Sequence, residues 1–490
     1  MKVENLSKRE TIFSEFTKEM LMEVSSMNKM KTIFSEFKDQ ALNAELGKLN
    51  VIESPVASGK SYAITEQIAK FCIDKLNNEL IIISQPYNCI WKEEDKERLK
   101  QKGLKEYERF LDIFVAIENG TFERGFIMTT PNTLGRYIES SNEYTFMNLV
   151  LGSLKDKVAV FIDEIHCHSV SNFENYEFCK GKTTNITNQF KFFNKGLVSI
   201  SKYTKYLFGF TATPHKENKN EIFSGLVVDY RDVTPKRSNR LNWSKCTSVN
   251  LHKDMFDSLE DKIQNLLVFN SASNVDKKTA MFQCRSAQTK KTEFTLYGEG
   301  FVDGVLLETC RKIPHEYRNL KIIIVDTSTS TYSISPQEIL DKGCKDRDNW
   351  EKEKINQDEV YRRLGSPDSP EQILFCVEKH QLGSNIPTLS EIFSFKEFNY
   401  EYKNIIYIDK LIQLYGRGVR VNLPKEYKKE YSRNLFELLT SNFNDVDELN
   451  RILDLNSCTI NLMENKFTSF FKNWHDDNAV TPDFVKSVIS

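Results

Sequence analysis

No stretch of this chain is apolar over anything near the roughly 20 residues a membrane-crossing helix needs, so the sequence predicts no membrane span. The opening residues, Met1-Lys2-Val3-Glu4-Asn5, lack the apolar core of a secretory leader, and a cytoplasmic location is expected. No Cys-x-x-Cys pair occurs. Ten cysteines stand singly between Cys72 and Cys458, which reads as reduced thiols rather than a disulfide framework, zinc site or iron–sulfur site. Neither sign of charge is in excess: the net charge is −2. That value does not indicate a basic DNA-binding module, yet it leaves room for a local basic stripe that holds phosphates weakly.

What is present is an ordinary globular composition, 40% hydrophobic and 28% charged, in 490 residues. A chain of that length exceeds one hydrophobic core and should divide into two or three domains. The first 45 or so residues read as helix, with Ile12, Phe13, Phe16, Met20, Val24, Met27, Met30, Phe34 and Phe37 mostly three or four apart. The hexapeptide Thr-Ile-Phe-Ser-Glu-Phe occurs at 11–16 and again at 32–37. It suits either a pair of helices with similar faces or one face of a single long helix.

From Asn50 short apolar runs alternate with helical patterns. They are Val51-Ile52, Leu80 to Ile83, Phe126 to Met128, Val158 to Ile162 and Leu207 to Phe210. Unbroken runs of this kind suit strands buried on both faces of a parallel sheet. A second series follows at 279–282, 320–325, 373–377 and 405–408, with a polar, proline-bearing stretch at 328–370 expected as an insertion or mobile loop. The last 60 residues look helical, with Phe467, Phe470, Phe471 and Trp474 as a packing cluster.

Four short blocks carry chemistry. Ser54-Pro55-Val56-Ala57-Ser58-Gly59-Lys60-Ser61 follows a strand and opens a helix, the context a phosphate-binding loop requires. Backbone N–H groups there would hold a β-phosphate, Lys60 would reach the β- and γ-phosphates, and the Ser61 hydroxyl would ligate magnesium. Ser54 and Ala57 stand where glycine is usual, so the loop is expected to be stiffer. Asp163-Glu164-Ile165-His166 ends an apolar strand about 100 residues later. Asp163 would bind magnesium and Glu164 would take a proton from the attacking water. An exposed Asp-Glu helix cap would explain the two carboxylates but not the strand before them.

His166-Cys167-His168 lacks further ligands at suitable spacing, which argues against a metal cluster. His166 reads instead as a hydrogen-bonding link toward the third block, Thr211-Ala212-Thr213-Pro214, whose Thr211 and Thr213 hydroxyls would couple the acidic pair to a neighbouring surface. In the fourth block, Gln413 to Arg420, Arg417 and Arg420 lie three apart and are expected on one face of a helix. Two guanidinium groups there would stabilise charge developing on a nucleotide.

In order, spacing and context these blocks resemble the superfamily 2 helicases and translocases, the group of DEAD/DEAH-box proteins and restriction-enzyme motors. The acidic block here is Asp-Glu-Ile-His, neither strict DEAD nor DEAH, while the spacing and the Asn385-Ile386-Pro387 block look closer to the restriction-type and phage DNA motors. The resemblance covers about residues 32–425. It implies that Gln40 reads adenine, and that Gln85-Pro86 and Thr130-Pro131 contact nucleic acid. It further implies such contacts for Gln283 and Arg285, nucleotide contacts for Gly383 and Asn385, and an arginine-finger motif at Gln413, Arg417 and Arg420. The implied fold is α/β: two tandem RecA-like doubly wound parallel-sheet domains at 46–245 and 250–428, with helical extensions at 1–45 and 429–490.

The implied cofactors are ATP and magnesium. The implied partner is nucleic acid, DNA before RNA, with the helical termini available to protein partners. The expected activity is an ATPase of helicase type coupling hydrolysis to movement on nucleic acid. Alternatives are a motor subunit of a larger defence, restriction or replication complex, and a nucleotide-gated binding protein with little turnover.

Overall fold

The computed structural model describes residues 32–55, 58–85, 93–130, 133–134, 150–165, 197–212, 226–233, 244–256, 258–284, 301–326, 331–343, 349–377, 386–395, 401–402, 405–406, 409–424, 426–427, 435, 438 and 445–483. The chain divides between Pro235 and Lys236 into two compact units. Each is an α/β fold on one mostly parallel sheet. Among the described residues no helix is long and apolar enough to cross a membrane.

The first unit runs α1 (Ile33–Leu42), β1 (Lys48–Glu53), α2, β2 (Leu80–Ser84), α3 (Glu93–Lys100), β3 (Lys105–Tyr107), α4 (Phe110–Glu118), β4 (Gly125–Thr129), β5 (Val158–Asp163), β6 (Tyr206–Thr211) and β7 (Val227–Asp232). Helix α2 starts at Lys60–Tyr62 and passes through a π-helical stretch at Ala63–Ile68 into Ala69–Asp74. The strand order is β3-β4-β2-β5-β6-β1-β7, and every neighbouring pair is parallel. Because all seven strands point one way, their C-terminal ends share one edge, where the connecting loops gather.

The central strands of this sheet are buried on both faces, which is why β2, β4, β5 and β6 read as largely apolar runs. Leu49, Val51, Leu80, Ile82, Val158, Val160 and Leu207 pack with Phe110, Ile113 and Phe114 of α4 on one face. Ile52, Ile81, Ile83, Phe161, Phe208 and Phe210 pack with Phe37 of α1 and with Ile64 and Ile68 of α2 on the other. Helix α1 begins with a reciprocal cap: Ser35 donates its N–H to Thr32 Oγ1 at 3.0 Å, and Thr32 donates its own to Ser35 Oγ at 2.7 Å. Its Phe37 is fully buried against Phe71, Phe161 and Phe208. Residues 33–42 are therefore part of this unit's core rather than an extension. The first Thr-Ile-Phe-Ser-Glu-Phe copy lies outside the described residues.

The second unit contains β8 (Cys246–His252), α5 (Leu259–Ala272), β9 (Thr279–Cys284), α6 (Phe301–Lys312), β10 (Ile323–Asp326), β11 (Thr331–Ile334), α7 (Pro336–Lys342), β12 (Glu353–Lys354), α8 (Gln357–Gly365), β13 (Ile373–Val377), β14 (Leu389–Ser394), β15 (Glu401–Tyr402), β16 (Ile405–Ile406), α9 (Asp409–Gly418), α10 (Val446–Leu455), β17 (Ser457–Met463) and α11 (Lys466–Asn478). The eight-stranded order is β12-β11-β10-β13-β9-β14-β17-β8. Only the β10–β11 and β11–β12 pairs are antiparallel. Phe282 at the centre stacks on Phe375 at 4.5 Å and on Phe393 at 4.7 Å between ring centroids.

Three expectations are corrected here. The polar stretch 328–370 is not a bare loop. It supplies β11, α7, β12 and α8, held by Arg363, which pairs with Glu353, Glu359 and Glu371. The last 60 residues are not a purely helical tail, because β17 lies between β14 and β8 in the sheet. Of the run 405–408, Ile405–Ile406 pairs among the described residues with β15 in a separate two-stranded ribbon, and 407–408 lie outside the described residues.

Candidate active site

Glu53 ends β1, and the chain turns out of the sheet at Ser54, whose N–H donates to Thr211 O of the neighbouring β6 at 2.9 Å. Ser58 N–H closes back on Pro55 O at 3.2 Å. Gly59 then caps α2 with φ at +82°, a left-handed conformation that side chains resist. A Cβ there would meet nothing within 4 Å, so the demand for glycine comes from the backbone and not from space. Lys60, 8% exposed, donates Nζ to Ser54 O at 3.4 Å and to Pro55 O at 3.2 Å. The ammonium thus lies over the carbonyls that open the loop. Ser61 is half-buried one residue further on. Val56 and Ala57 fall outside the described residues.

Asp163 ends β5, one strand removed from β1, with β6 between. Its Oδ1 accepts the Glu164 N–H at 3.0 Å and its Oδ2 accepts Gln85 Nε2 at 3.4 Å. Burial, followed by the Glu164 charge, raises the Asp163 carboxyl to about 7, while Lys60 acts in the opposite direction. Glu164 leaves the strand with φ at +51°, an uncommon conformation for a non-glycine residue. Asp95 of α3, 5% exposed, also pushes the Asp163 carboxyl upward. It accepts Arg98 Nη1 at 2.7 Å and Thr65 Oγ1 at 3.5 Å. Nothing in the sequence pattern marked Asp95, one of three acidic residues in the first turn of α3.

The donor set fits a magnesium–phosphate group. Asp163 and Ser61 offer hard oxygen ligands, and magnesium commonly takes one or two protein oxygens plus phosphates and waters. Ser54 Oγ, Ser58 Oγ and Gln85 Oε1 are buried without a hydrogen-bond partner among the described residues. Polar atoms so placed are suited to a polar occupant, since leaving them unsatisfied costs about 1–3 kcal/mol each. Among the described residues no group of three or more His, Cys, Asp or Glu could form a metal cluster.

Other candidate residues have different placements. Gln40 does not face the loop. It is 1% exposed and donates Nε2 to Asp229 O of β7 at 2.9 Å, while its Oε1 is buried without a hydrogen-bond partner among the described residues. Gln283 is likewise 1% exposed and accepts Ser394 Oγ at 2.9 Å, which removes it from any surface track. Gln85 is 3% exposed and turned to Asp163 rather than outward. Thr130 is half-buried, and its Oγ1 accepts the Thr133 N–H at 3.2 Å, capping a turn. Thr211 is buried and engaged with the loop through its carbonyl. Pro86, Pro131, His166, Thr213, Arg285, Gly383 and Asn385 lie outside the described residues, as does the Gln413 side chain.

Arg417 and Arg420 do not share a helical face. Helix α9 ends at Gly418, and Arg420 lies beyond it in an isolated antiparallel bridge with Ser244. Arg417 is 8% exposed. A Cβ on Gly418 would come within 2.9 Å of Cys458 Sγ on β17, so glycine lets the helix end approach the sheet. Lys245 clasps the same turn: its N–H donates to Val419 O at 2.9 Å, and its buried Nζ donates to Leu389 O at 2.8 Å. Nothing in the sequence pattern marked Lys245.

No protein-family model matches the chain, and no curated protein matches it. Similar solved structures include the Mycobacterium smegmatis helicase Lhr bound to ssDNA and AMP-PNP, at 11% identity and TM-score 0.48, covering 95% of this chain and 51% of that one. This chain therefore spans about half the length of that helicase. Another is Mss116p bound to ssRNA and AMP-PNP, at 10% identity and TM-score 0.48, covering 94% of this chain and 75% of that one. A third is S. cerevisiae Dbp5 bound to RNA and ADP BeF3, at 13% identity and TM-score 0.46, covering 98% and 99%. Identities of 13% or less leave the chemistry to this chain's own residues.

Proposed function

We propose that this chain is a magnesium-dependent ATPase of superfamily 2 helicase type, with two RecA-like domains, that couples hydrolysis to movement on nucleic acid. One observation carries the reading. The glycine-capped loop after β1 and the Asp163-Glu164 pair after β5 stand at the same edge of a parallel sheet, with one strand between them.

Ser54 to Ser61 bind the phosphates through backbone N–H groups at the start of α2. Lys60 leaves the loop carbonyls and neutralises the β- and γ-phosphates. Ser61 and Asp163 hold magnesium, which, when bound, draws charge from the phosphate oxygens. Glu164 orients a water and takes its proton as the water oxygen bonds to the γ-phosphorus and the bond to ADP breaks. Arg417 and Arg420, the arginine-finger residues that the helicase resemblance implies, would supply positive charge to that transition state. Contacts to the polymer are mainly to its phosphates, so sequence preference is low. DNA is favoured over RNA as the track.

The experiment is steady-state phosphate release from magnesium-ATP with no polymer and with single- and double-stranded DNA and RNA in parallel. Stimulation by at least one polymer is expected. Release at the same background level in all five mixtures contradicts the reading.

A further inference from the structure

Gln85 is placed with unusual care for a residue that opens a loop. Its backbone N–H donates to Thr129 O of β4 at 3.0 Å, which fixes it laterally in the sheet. Ser84 pairs with Ile162, so the next residue on each strand, Gln85 and Asp163, stand side by side. Alternation along the two strands puts both side chains on the α2 face of the sheet, with Ile83 and Phe161. The Gln85 amide is 3% exposed and uses its N–H₂ end on Asp163 Oδ2 at 3.4 Å.

The orientation of that amide follows from charge. With Asp163 ionised, as a magnesium ligand is, the amide turned over would set oxygen against oxygen, and the contact would be repulsive. Asp163 therefore holds one end of the amide, and the other end, Oε1, is left buried without a partner among the described residues. A neutral acceptor beside a magnesium carboxylate has a specific use. Magnesium sheds its waters reluctantly and keeps several of them, and each such water needs an acceptor for its protons.

We infer that Gln85 is a positioning residue for the metal, holding Asp163 Oδ2 with its amide N–H and receiving a magnesium-bound water on Oε1. This rests on the reading of Asp163 as a magnesium ligand. A side chain that orients a ligand and also hydrogen-bonds the hydrated ion affects metal affinity far more than nucleotide affinity. Loss of such an outer partner typically costs about 10–100-fold in metal affinity. The alternative is a purely structural amide that fills space between β2 and β5.

The test uses the full chain with Gln85→Met, which keeps length and volume but has neither donor nor acceptor. Gln85→Asn is the second variant; it keeps the amide but is too short to reach both partners. Binding of a fluorescent ATP analogue is titrated without metal and then with increasing magnesium, and Mn2+ binding to the nucleotide complex is followed by electron paramagnetic resonance. Both variants are expected to bind metal-free nucleotide within about twofold of wild type. Both are expected to need about 10–100-fold more metal to reach the same occupancy of the nucleotide complex.

Wild-type metal dependence in either folded variant overturns the inference, as does an equal loss of metal-free nucleotide binding. Lys60→Ala is run alongside. If it loses nucleotide while Gln85→Met keeps wild-type metal dependence, only the role of Gln85 fails. If Lys60→Ala binds nucleotide as wild type does, the phosphate-loop reading fails and takes this role with it.

Discussion

Replacing Lys245 with methionine should stabilise the protein at neutral pH and destabilise it in alkali. Lys245 is 1% exposed, and its Nζ has Leu389 O as a hydrogen-bond acceptor at 2.8 Å. Burial lowers its ammonium from 10.5 to about 8, opposed by Cys458 and reinforced by Lys278. Carrying that charge at pH 7 costs the folded state about 3 kcal/mol relative to the unfolded chain. The direction follows from proton counting. Between pH 8 and 10.5 the unfolded chain holds a proton on Lys245 that the folded protein has released, so wild-type stability rises with pH across that window.

Methionine removes the charge and leaves Leu389 O without its donor, a loss of about 1–3 kcal/mol. The variant should therefore match or exceed wild type by up to about 2 kcal/mol at pH 7. Between pH 7 and pH 10 it should fall behind by about 2–3 kcal/mol, the larger part of the linkage. Urea denaturation of both proteins at the two pH values measures this directly, and other alkaline titrations cancel in the difference. A difference between variant and wild type that is the same at both pH values refutes the argument.

Glu164→Gln keeps the side chain's size but cannot take a proton, so it should bind ATP near normally and hydrolyse it at least about 100-fold more slowly. Nucleotide binding with single-turnover hydrolysis checks this, and hydrolysis at the wild-type rate removes Glu164 as the base. Phe37→Ala empties a fully buried site among Phe71, Phe161 and Phe208 and should destabilise the protein by about 3–5 kcal/mol. A loss below about 1 kcal/mol in chemical denaturation would contradict the packing of α1. Arg417→Ala should leave ATP affinity largely intact and slow hydrolysis by about 10³-fold or more, with Arg417→Lys little better, since a point charge lacks the planar fork. Equal rates in all three proteins would make Arg417 irrelevant to catalysis.

Strands buried on both faces were legible, because β2, β4, β5 and β6 carry mostly apolar residues and β1 holds the apolar pair Val51-Ile52. Strands with mixed patterns were not. Lys105-Glu106-Tyr107 and Val227 to Asp232 lie at the two edges of the first sheet, where one side needs no partner. Cys246 to His252 and Ser457 to Met463 alternate polar and apolar residues, and their places in the sheet depend on long-range pairing with each other. The loop and the acidic pair were legible because backbone geometry dictates them.

Gln40 and Gln283 each make a contact inside the protein that their motif positions did not signal. An amide at a motif position reads as a ligand contact, but these two meet partners inside the protein, Asp229 O and Ser394 Oγ. Spacing by three put Arg417 and Arg420 on one face only if the helix continued, and it stops at Gly418. Stopping there, with Ser244 paired to Arg420, depends on contacts far apart in sequence.

The central claim is that the loop from Ser54 to Ser61 binds and activates ATP. The most direct measurement is magnesium-ATP binding and phosphate release by wild type and Lys60→Ala, each with and without a saturating polynucleotide. Lys60 faces the loop carbonyls at 3.2–3.4 Å and is the one strong positive charge the loop itself can offer a phosphate. The account predicts polymer-stimulated release by wild type, and release by Lys60→Ala at background with weakened ATP binding. Turnover by Lys60→Ala at the wild-type rate would contradict it.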